Sequence, residues 1–312
     1  MLSPVRLLGP FLLLLPLAVI GCDPVSDAAP PPAPDTVTAL PDSVLSPPDT
    51  ATARRFREAM QYALRHRAET ESIGALMQTL GTQFEGAPYR AGTLDEPATE
   101  TLVVHLDGFD CVTFIETMLA MSRGAMAGDT SYAGFAQRLA QQRYRDGHLQ
   151  GYCSRLHYFT EWMADNEARG IVERRGDALK GRPLTDTLDF MSTHRSSYDR
   201  FATNDSLFAC VQDMEDAVNA QRQRDPARYV PQDSIRAVYD QLRAGDIVAM
   251  VTSIGGLDVS HSGLVYAHED GGRGLLHASL SGGITVSPDL QRYVQSIDNQ
   301  IGIVVARPQP AP

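Results

Sequence analysis

The sequence predicts an α+β fold, with helices first and an antiparallel sheet last. Three observations carry this. Helical spacing of apolar residues runs through much of 51–168. Short β-rich runs separated by Gly, Asp and Ser turns fill the last third. No internal repeat or second linker divides the two parts, and such segregation along a chain is the mark of the α+β class.

The chain has 312 residues, 43% of them apolar and 21% charged, which is globular rather than disordered composition. With 38 acidic residues against 27 Lys and Arg the net charge is −11. Phosphate backbones select basic stripes, so a nucleic-acid partner is not expected. Four cysteines are too few for a disulfide scaffold, and the core must be hydrophobic.

Residues 1–21 carry Arg6 and then an apolar run broken by Pro10 and Pro16. The run is too short to span a bilayer and reads as a secretory signal. Val19-Ile20-Gly21-Cys22 resembles a bacterial lipobox, which implies cleavage before Cys22, lipidation of that cysteine and attachment to a membrane in the cell envelope. Removing 1–21 takes away only Arg6 among the charged residues. Residues 22–50, dense in Pro, Ser, Asp and Ala, read as an extended linker. A single domain follows over 51–308, long enough to bury its own core.

Each element has its own signal. Phe56, Met60 and Leu64, then Ile73, Leu76, Met77, Leu80 and Phe84, mark helical structure over 51–84. Residues 101–106 (TLVVHL) suggest a short strand, and 111–121 read as a buried helix. Further helices are expected over 132–144 and 154–168. Strands are expected over 246–252, 262–267, 274–278, 284–286 and 301–306.

The chemistry begins at Gly108-Phe109-Asp110-Cys111-Val112-Thr113-Phe114. Asp110 is a good N-cap and places Cys111 at the first position of an apolar helix. Backbone N–H groups and the dipole there favour a thiolate nucleophile. Taken alone, Cys111 is equally readable as a small packing residue. A thiolate needs a base, and the base needs an orienting partner. His261 and His277 lie in consecutive predicted strands joined by a Gly-rich turn, so antiparallel pairing sets the imidazoles side by side.

GFDCVTF, GDIVAM, SHSGLVY and LLHAS, in that order, resemble the NlpC-type branch of papain-like cell-wall hydrolases. The resemblance implies Cys111 as nucleophile, His261 as base and His277 as orienting residue, in a papain-like core carrying a large, mostly helical insertion. A fuller resemblance spans roughly 55–308 through GAPYRAGTLDE, DCVTFIET, SRLHYFTEW, DFMSTHRSSY and GLDVSHSGLVY. These blocks are similar to a subfamily long catalogued as a domain of unknown function and related to N-acetylmuramoyl-L-alanine amidases. NlpC-type endopeptidases use the residue after the cysteine to recognise a free peptide amine. Val112 offers nothing for that, which favours cleavage nearer the sugar.

The resemblance also gives Tyr89 an oxyanion or substrate role. Asp110, Asp258 and Ser260 border the nucleophile or base and are candidate cleft residues. Arg155 and Tyr158, three apart on an expected helix, are candidates for substrate carbonyls. His157 and Trp162 read as packing residues, and Glu116 as a buried structural partner. With Cys22 lipidated and Cys111 a free thiol, Cys153 and Cys210 are the remaining possible disulfide pair. The expected protein is a monomeric, lipid-anchored hydrolase of peptidoglycan or muropeptides, with no cofactor and no metal. No HExxH or CxxC spacing supports a zinc site. A γ-D-glutamyl endopeptidase and a non-catalytic peptidoglycan-binding lipoprotein are the alternatives.

Overall fold

The computed structural model describes residues 40–310. Cys22, the signal and most of the linker lie outside them. Leu40, Val44 and Leu45 already pack against the main core. The folded part therefore begins inside the stretch read as linker, because these apolar residues find a surface to cover.

Helices α1 (Thr50–His66) and α2 (Ile73–Thr82) come first. The run expected to be helical over 51–84 divides at residues 67–72, where Ser72 accepts from the Ala75 N–H and caps α2. Next are α3 (Cys111–Ala127), α4 (Tyr132–Arg143) and α5 (Phe159–Ala168). Between α5 and the following strands lie β1 (Val172–Arg174), β2 (Arg182–Pro183), α6 (Phe190–Thr193), α7 (Asp205–Arg224) and β3 (Arg228–Pro231). Strands β4 (Ile247–Thr252), β5 (Val259–Ala267), β6 (Arg273–Ser279) and β7 (Gly283–Ser287), helix α8 (Leu290–Gln295) and β8 (Gln300–Pro308) complete the fold.

All strand pairs are antiparallel, in the order β2-β3-β8-β4-β5-β6-β7, with β1 also on β8. β4 through β7 form the expected meander, and β8 returns to the other side of β4. The sheet is covered on both faces. Ile247, Ala249, Val251, Leu264 and Leu276 meet Leu76, Leu80, Phe114 and Met118 of the helical layer. Val248, Met250, Val265 and Leu275 meet Ile235, Val238, Leu290 and Val294 on the other side. Double coverage explains why β4 is apolar at nearly every position instead of alternating.

Two expectations fail for local reasons. Residues 101–106 form no strand. Their carbonyls are taken by side chains, Val103 O by Arg143 at 2.7 Å and Thr101 O by the Tyr144 hydroxyl at 3.0 Å. The helix expected over 154–168 starts only at Phe159. Residues 152–154 form a 3-10 turn, Arg155 is extended, and Leu156 N donates to Arg143 O at 2.9 Å.

Candidate active site

Cys111 opens α3 through a reciprocal capping box. Asp110 Oδ1 accepts from Thr113 N at 2.7 Å, and Thr113 Oγ1 accepts from Asp110 N at 3.0 Å. The loop before the helix is pinned as well. Tyr89 bridges Phe109 in parallel, with Phe109 N donating to Pro88 O and Arg90 N to Phe109 O. On the other side Gly86 N donates to Ile284 O, and Ile284 N to Ala87 O. Gly283 makes this clamp possible: its φ is +66°, and a Cβ there would come within 2.1 Å of Ala87 O. Tyr89 is thereby held half-buried beside Cys111.

His261 and His277 meet as the strand pairing demands. The register sets Leu264 against Leu276, so His277 stands next to Gly263. A Cβ on Gly263 would lie 2.9 Å from that of His277, and its absence lets the His277 ring reach diagonally to His261. His261 Nε2 is 2.8 Å from His277 Nδ1, and His277 Nε2 is 3.1 Å from Ser287 Oγ. Two tautomer assignments satisfy the chain, and in the one that leaves a base His261 carries its proton on Nε2 and donates to His277, which donates in turn to Ser287. His261 Nδ1 is then left as a free base. A β-bulge at Ser260 immediately precedes His261, because Met250 pairs with His261 while Val251 pairs with Val259. Bulges of this kind re-aim neighbouring side chains.

Cys111 and His261 line one cleft of about 150 Å³, together with Val112, Leu156, Trp162 and Ser262. Asp258 and Ser260 line it too. The Asp258 carboxylate is nonetheless committed, accepting from Thr160 N at 2.7 Å, Thr160 Oγ1 at 2.8 Å and its neighbour Val259 N at 2.8 Å. Ser260 is exposed at the bulge.

Burial decides the charge state. It pushes the Cys111 thiol from 9.0 up to about 11, assisted by the Asp110 charge and opposed by Ser262. Burial likewise pushes His261 down to about 3 and His277 down to about 4. The rise at Cys111 corresponds to about 3 kcal/mol against the thiolate, whereas a helix N-terminus typically contributes ~0.3–1 kcal/mol in its favour. Desolvation thus opposes the thiolate more strongly than the helix start favours it, and at His261 it favours the neutral imidazole.

A family model described as N-acetylmuramoyl-L-alanine amidase-like, AmiA-like for short, matches residues 79–303, from the end of α2 into β8. The chain belongs to the AmiA-like family. An N-acetylmuramoyl-L-alanine amidase from Bacteroides uniformis has a similar crystal structure, with 29% identity, a TM-score of 0.70 and coverage of 76% of this chain and 99% of that one. A Bacteroides fragilis protein provisionally named a xylanase is 33% identical over 73% of this chain and 98% of its own, with a TM-score of 0.66. A Legionella pneumophila protein assigned to DUF1460 shares the fold at 18% identity and a TM-score of 0.61, over 84% of this chain and 97% of that one. No match is found among curated proteins.

In this AmiA-like domain Arg155 and Tyr158 do not share a helix face, and neither lines the cleft. Arg155 donates to Leu94 O at 2.9 Å and pairs with Asp95. The Tyr158 hydroxyl donates to Glu215 at 2.7 Å. Leu156 and His157, between them, do line the cleft. His157 is held on Tyr152 O at 2.8 Å, and burial pushes it down to about 3. Glu116 is a buried partner of Arg143 at 2.7 Å and of Trp162 Nε1 at 3.2 Å. Cys153 and Cys210 form a disulfide joining the turn before the cleft wall to α7. Ser287 and Ser262, which escaped the sequence reading, stand beside His277 and Cys111. Their only signal is position, one strand beyond His277 and one residue beyond His261. Among the described residues no three His, Cys, Asp or Glu side chains gather as a metal site requires, and no helix is long and apolar enough to cross a membrane.

Proposed function

We propose that this peptidoglycan amidase-like protein is a papain-like, NlpC-type cysteine hydrolase. The bond cut is the amide between the lactyl group of N-acetylmuramic acid and L-alanine. The observation that carries this reading is the shared cleft of Cys111 and His261, with His261 Nε2 held 2.8 Å from His277 Nδ1 and Nδ1 left free.

The sulfur of Cys111 attacks the lactyl carbonyl carbon while its proton passes to His261 Nδ1. The oxyanion that forms is met by the unpaired N–H groups at the start of α3, with Tyr89 beside them. Collapse breaks the C–N bond, and His261 returns the proton to the leaving amine of L-alanine. Water then attacks the thioester, giving its proton to His261. The lactyl carboxylic acid leaves and the thiol is restored. A neutral starting pair suits this sequence, since charge develops only as the proton moves.

Val112 supports the choice of bond, because it lines the cleft next to Cys111 and offers no acceptor for a free peptide amine. A xylanase needs two carboxyl groups flanking the scissile bond. The one carboxylate lining this cleft, Asp258, is already bonded to Thr160 and Val259.

The test is mass spectrometry of muropeptides incubated with the protein. Release of intact stem peptide that Cys111→Ala abolishes supports the reading. Cleavage after D-glutamate would establish the endopeptidase instead, and undiminished activity of Cys111→Ala would overturn the mechanism. Lipidation at Cys22 is part of the same proposal: Cys22→Ala is expected to move a monomeric protein from the membrane fraction of the envelope to the soluble one.

A further inference from the structure

The amphipathic pattern of residues 290–295 is only six residues long, yet it builds a helix with one consistent job. Leu290 and Val294 of α8 are fully buried against the second face of the sheet. Asp289 caps the helix by accepting from Arg292 N at 2.9 Å. The same carboxylate pairs with Arg236 at 2.6 Å and accepts from the Tyr239 hydroxyl at 3.2 Å. That hydroxyl in turn accepts from Gln291 N at 2.9 Å. Three contacts from outside the helix thus fix an element too short to be stable alone.

What this anchoring positions is Tyr293. Its ring centroid lies 4.7 Å from that of His277 at an interplanar angle of 67°, and 5.9 Å from that of His261 at 40°. The two imidazoles are themselves nearly perpendicular, at 83°. One aromatic ring therefore lies against both members of the pair, edge-to-face on His277 and tilted on His261, and such aromatic contacts are favourable and directional. The Tyr293 hydroxyl has no hydrogen-bond partner among the described residues, so the ring and not the phenol makes the contact.

The geometry points to Tyr293 as a positioning residue: its ring holds His261 and His277 in their hydrogen-bonded arrangement and keeps water from them. The inference rests on the cysteine-hydrolase reading of the site and concerns how its base is kept poised. The groups facing the pair are few. Cys111 on α3, His157 before α5, Asp258 before β5 and Tyr293 on α8 are the titratable ones, β4 presents Met250 opposite His261, and β7 presents Ser287 to His277. No carboxylate or guanidinium acts on either ring, so burial, joined at His261 by the neighbouring His277, keeps both imidazoles neutral. Part of that burial is supplied by Tyr293.

The experiment is an NMR titration of isotope-labelled histidines in the full chain, alongside kcat and KM, for the unsubstituted protein and for Tyr293→Phe, Tyr293→Leu and Tyr293→Ala. Tyr293→Phe keeps the ring, and both histidine midpoints are expected to stay where they were, with kcat preserved. Tyr293→Ala is expected to move the midpoints up toward 6.5 and to lower kcat on the order of 10–100-fold, as loss of an orienting partner does, with KM little changed. Tyr293→Leu covers the case in which the alanine variant fails to fold, and should show the same direction of shift. Unmoved midpoints in folded Tyr293→Leu or Tyr293→Ala would overturn the proposal. So would a Tyr293→Phe variant that behaves like alanine, since the hydroxyl would then be the active part. The titration needs no turnover, so it stays informative even if Cys111→Ala proves fully active and the chemistry is wrong.

Discussion

His261 Nε2 and His277 Nδ1 stand 2.8 Å apart across neighbouring strands, and that contact occupies Nε2 of His261. In the proposed mechanism the other nitrogen, Nδ1, is the base. Removing the partner lets the ring rotate and the wrong tautomer form. His277→Ala is therefore expected to reduce kcat by about 10²–10⁴-fold, by analogy with loss of the third member of a catalytic triad. His277→Gln, which can still accept through its amide oxygen, should recover part of the loss. Equal rates for the alanine variant and the unsubstituted protein would remove His277 from the mechanism.

The same pair sets the acid side of the pH profile. A histidine whose folded value is pushed down to about 3 or 4 remains an unprotonated base well below its ordinary 6.5. The expected kcat/KM is flat through pH 5 and falls only toward pH 3–4. Stability carries the matching sign. In the unfolded chain both histidines take up protons near 6.5, while the folded chain resists until about 3–4. Their contribution is complete above 6.5 and is lost progressively as pH falls through that window. Denaturant melts of His277→Gln against the unsubstituted protein should lose part of this slope.

Glu116 ties three helices and a loop together from inside the core. It accepts from Arg143 Nε at 2.7 Å and from Trp162 Nε1 at 3.2 Å, and Arg143 reaches on to Val103 O. Glu116→Ala leaves a buried guanidinium without its carboxylate, and stability is expected to fall by about 3–5 kcal/mol. Chemical denaturation measures this directly. Because Trp162 lines the cleft, KM should rise along with the loss of stability.

How much of this was legible in the sequence depends on the range of the interaction. Asp110 and Thr113 are three residues apart, so the cap that positions Cys111 could be read directly, and the strand alternation around His261 and His277 gave their pairing. The short strands between α5 and β4 could not be foreseen, because β1, β2 and β3 are two to four residues long and exist only through pairing with one another and with β8. Arg155 and Tyr158 fall before the helix that apolar spacing predicts to start at 154, because Leu156 N donates to Arg143 O and the helix begins only at Phe159. Tyr293 carried no signal at all. It comes from a six-residue helix whose place is fixed by Arg236 and Tyr239, some 50 residues earlier in the chain.

The disulfide bears on the cleft wall. Cys153 and Cys210 are 57 residues apart and link the turn before Leu156 and His157 to α7. Closing a loop of that length stabilises by about 4 kcal/mol on the chain-entropy account. A Cys153→Ser, Cys210→Ser double variant is expected to unfold at lower denaturant, with Cys111 still reactive in the folded protein. An unchanged midpoint would mean that packing of Tyr152, Phe201 and Val211 already holds the wall without the bond.

The last prediction concerns Cys111, where two opposing effects meet on one atom. The helix start favours the thiolate, but burial and the neighbouring Asp110 charge push the thiol up to about 11. Alkylation by iodoacetamide reports the thiolate, so its rate at Cys111 should rise through a midpoint near 11 in the free protein. A preformed thiolate–imidazolium pair would instead give fast alkylation down to acid pH. Asp110→Asn separates the contributions, since asparagine still caps the helix while removing the charge. Its alkylation midpoint is expected to fall below that of the unsubstituted protein while staying above 9.0, because the burial that causes most of the rise is untouched. A midpoint below 9.0 in the unsubstituted protein would show that the helix start outweighs burial, and the mechanism would then begin from the ion pair.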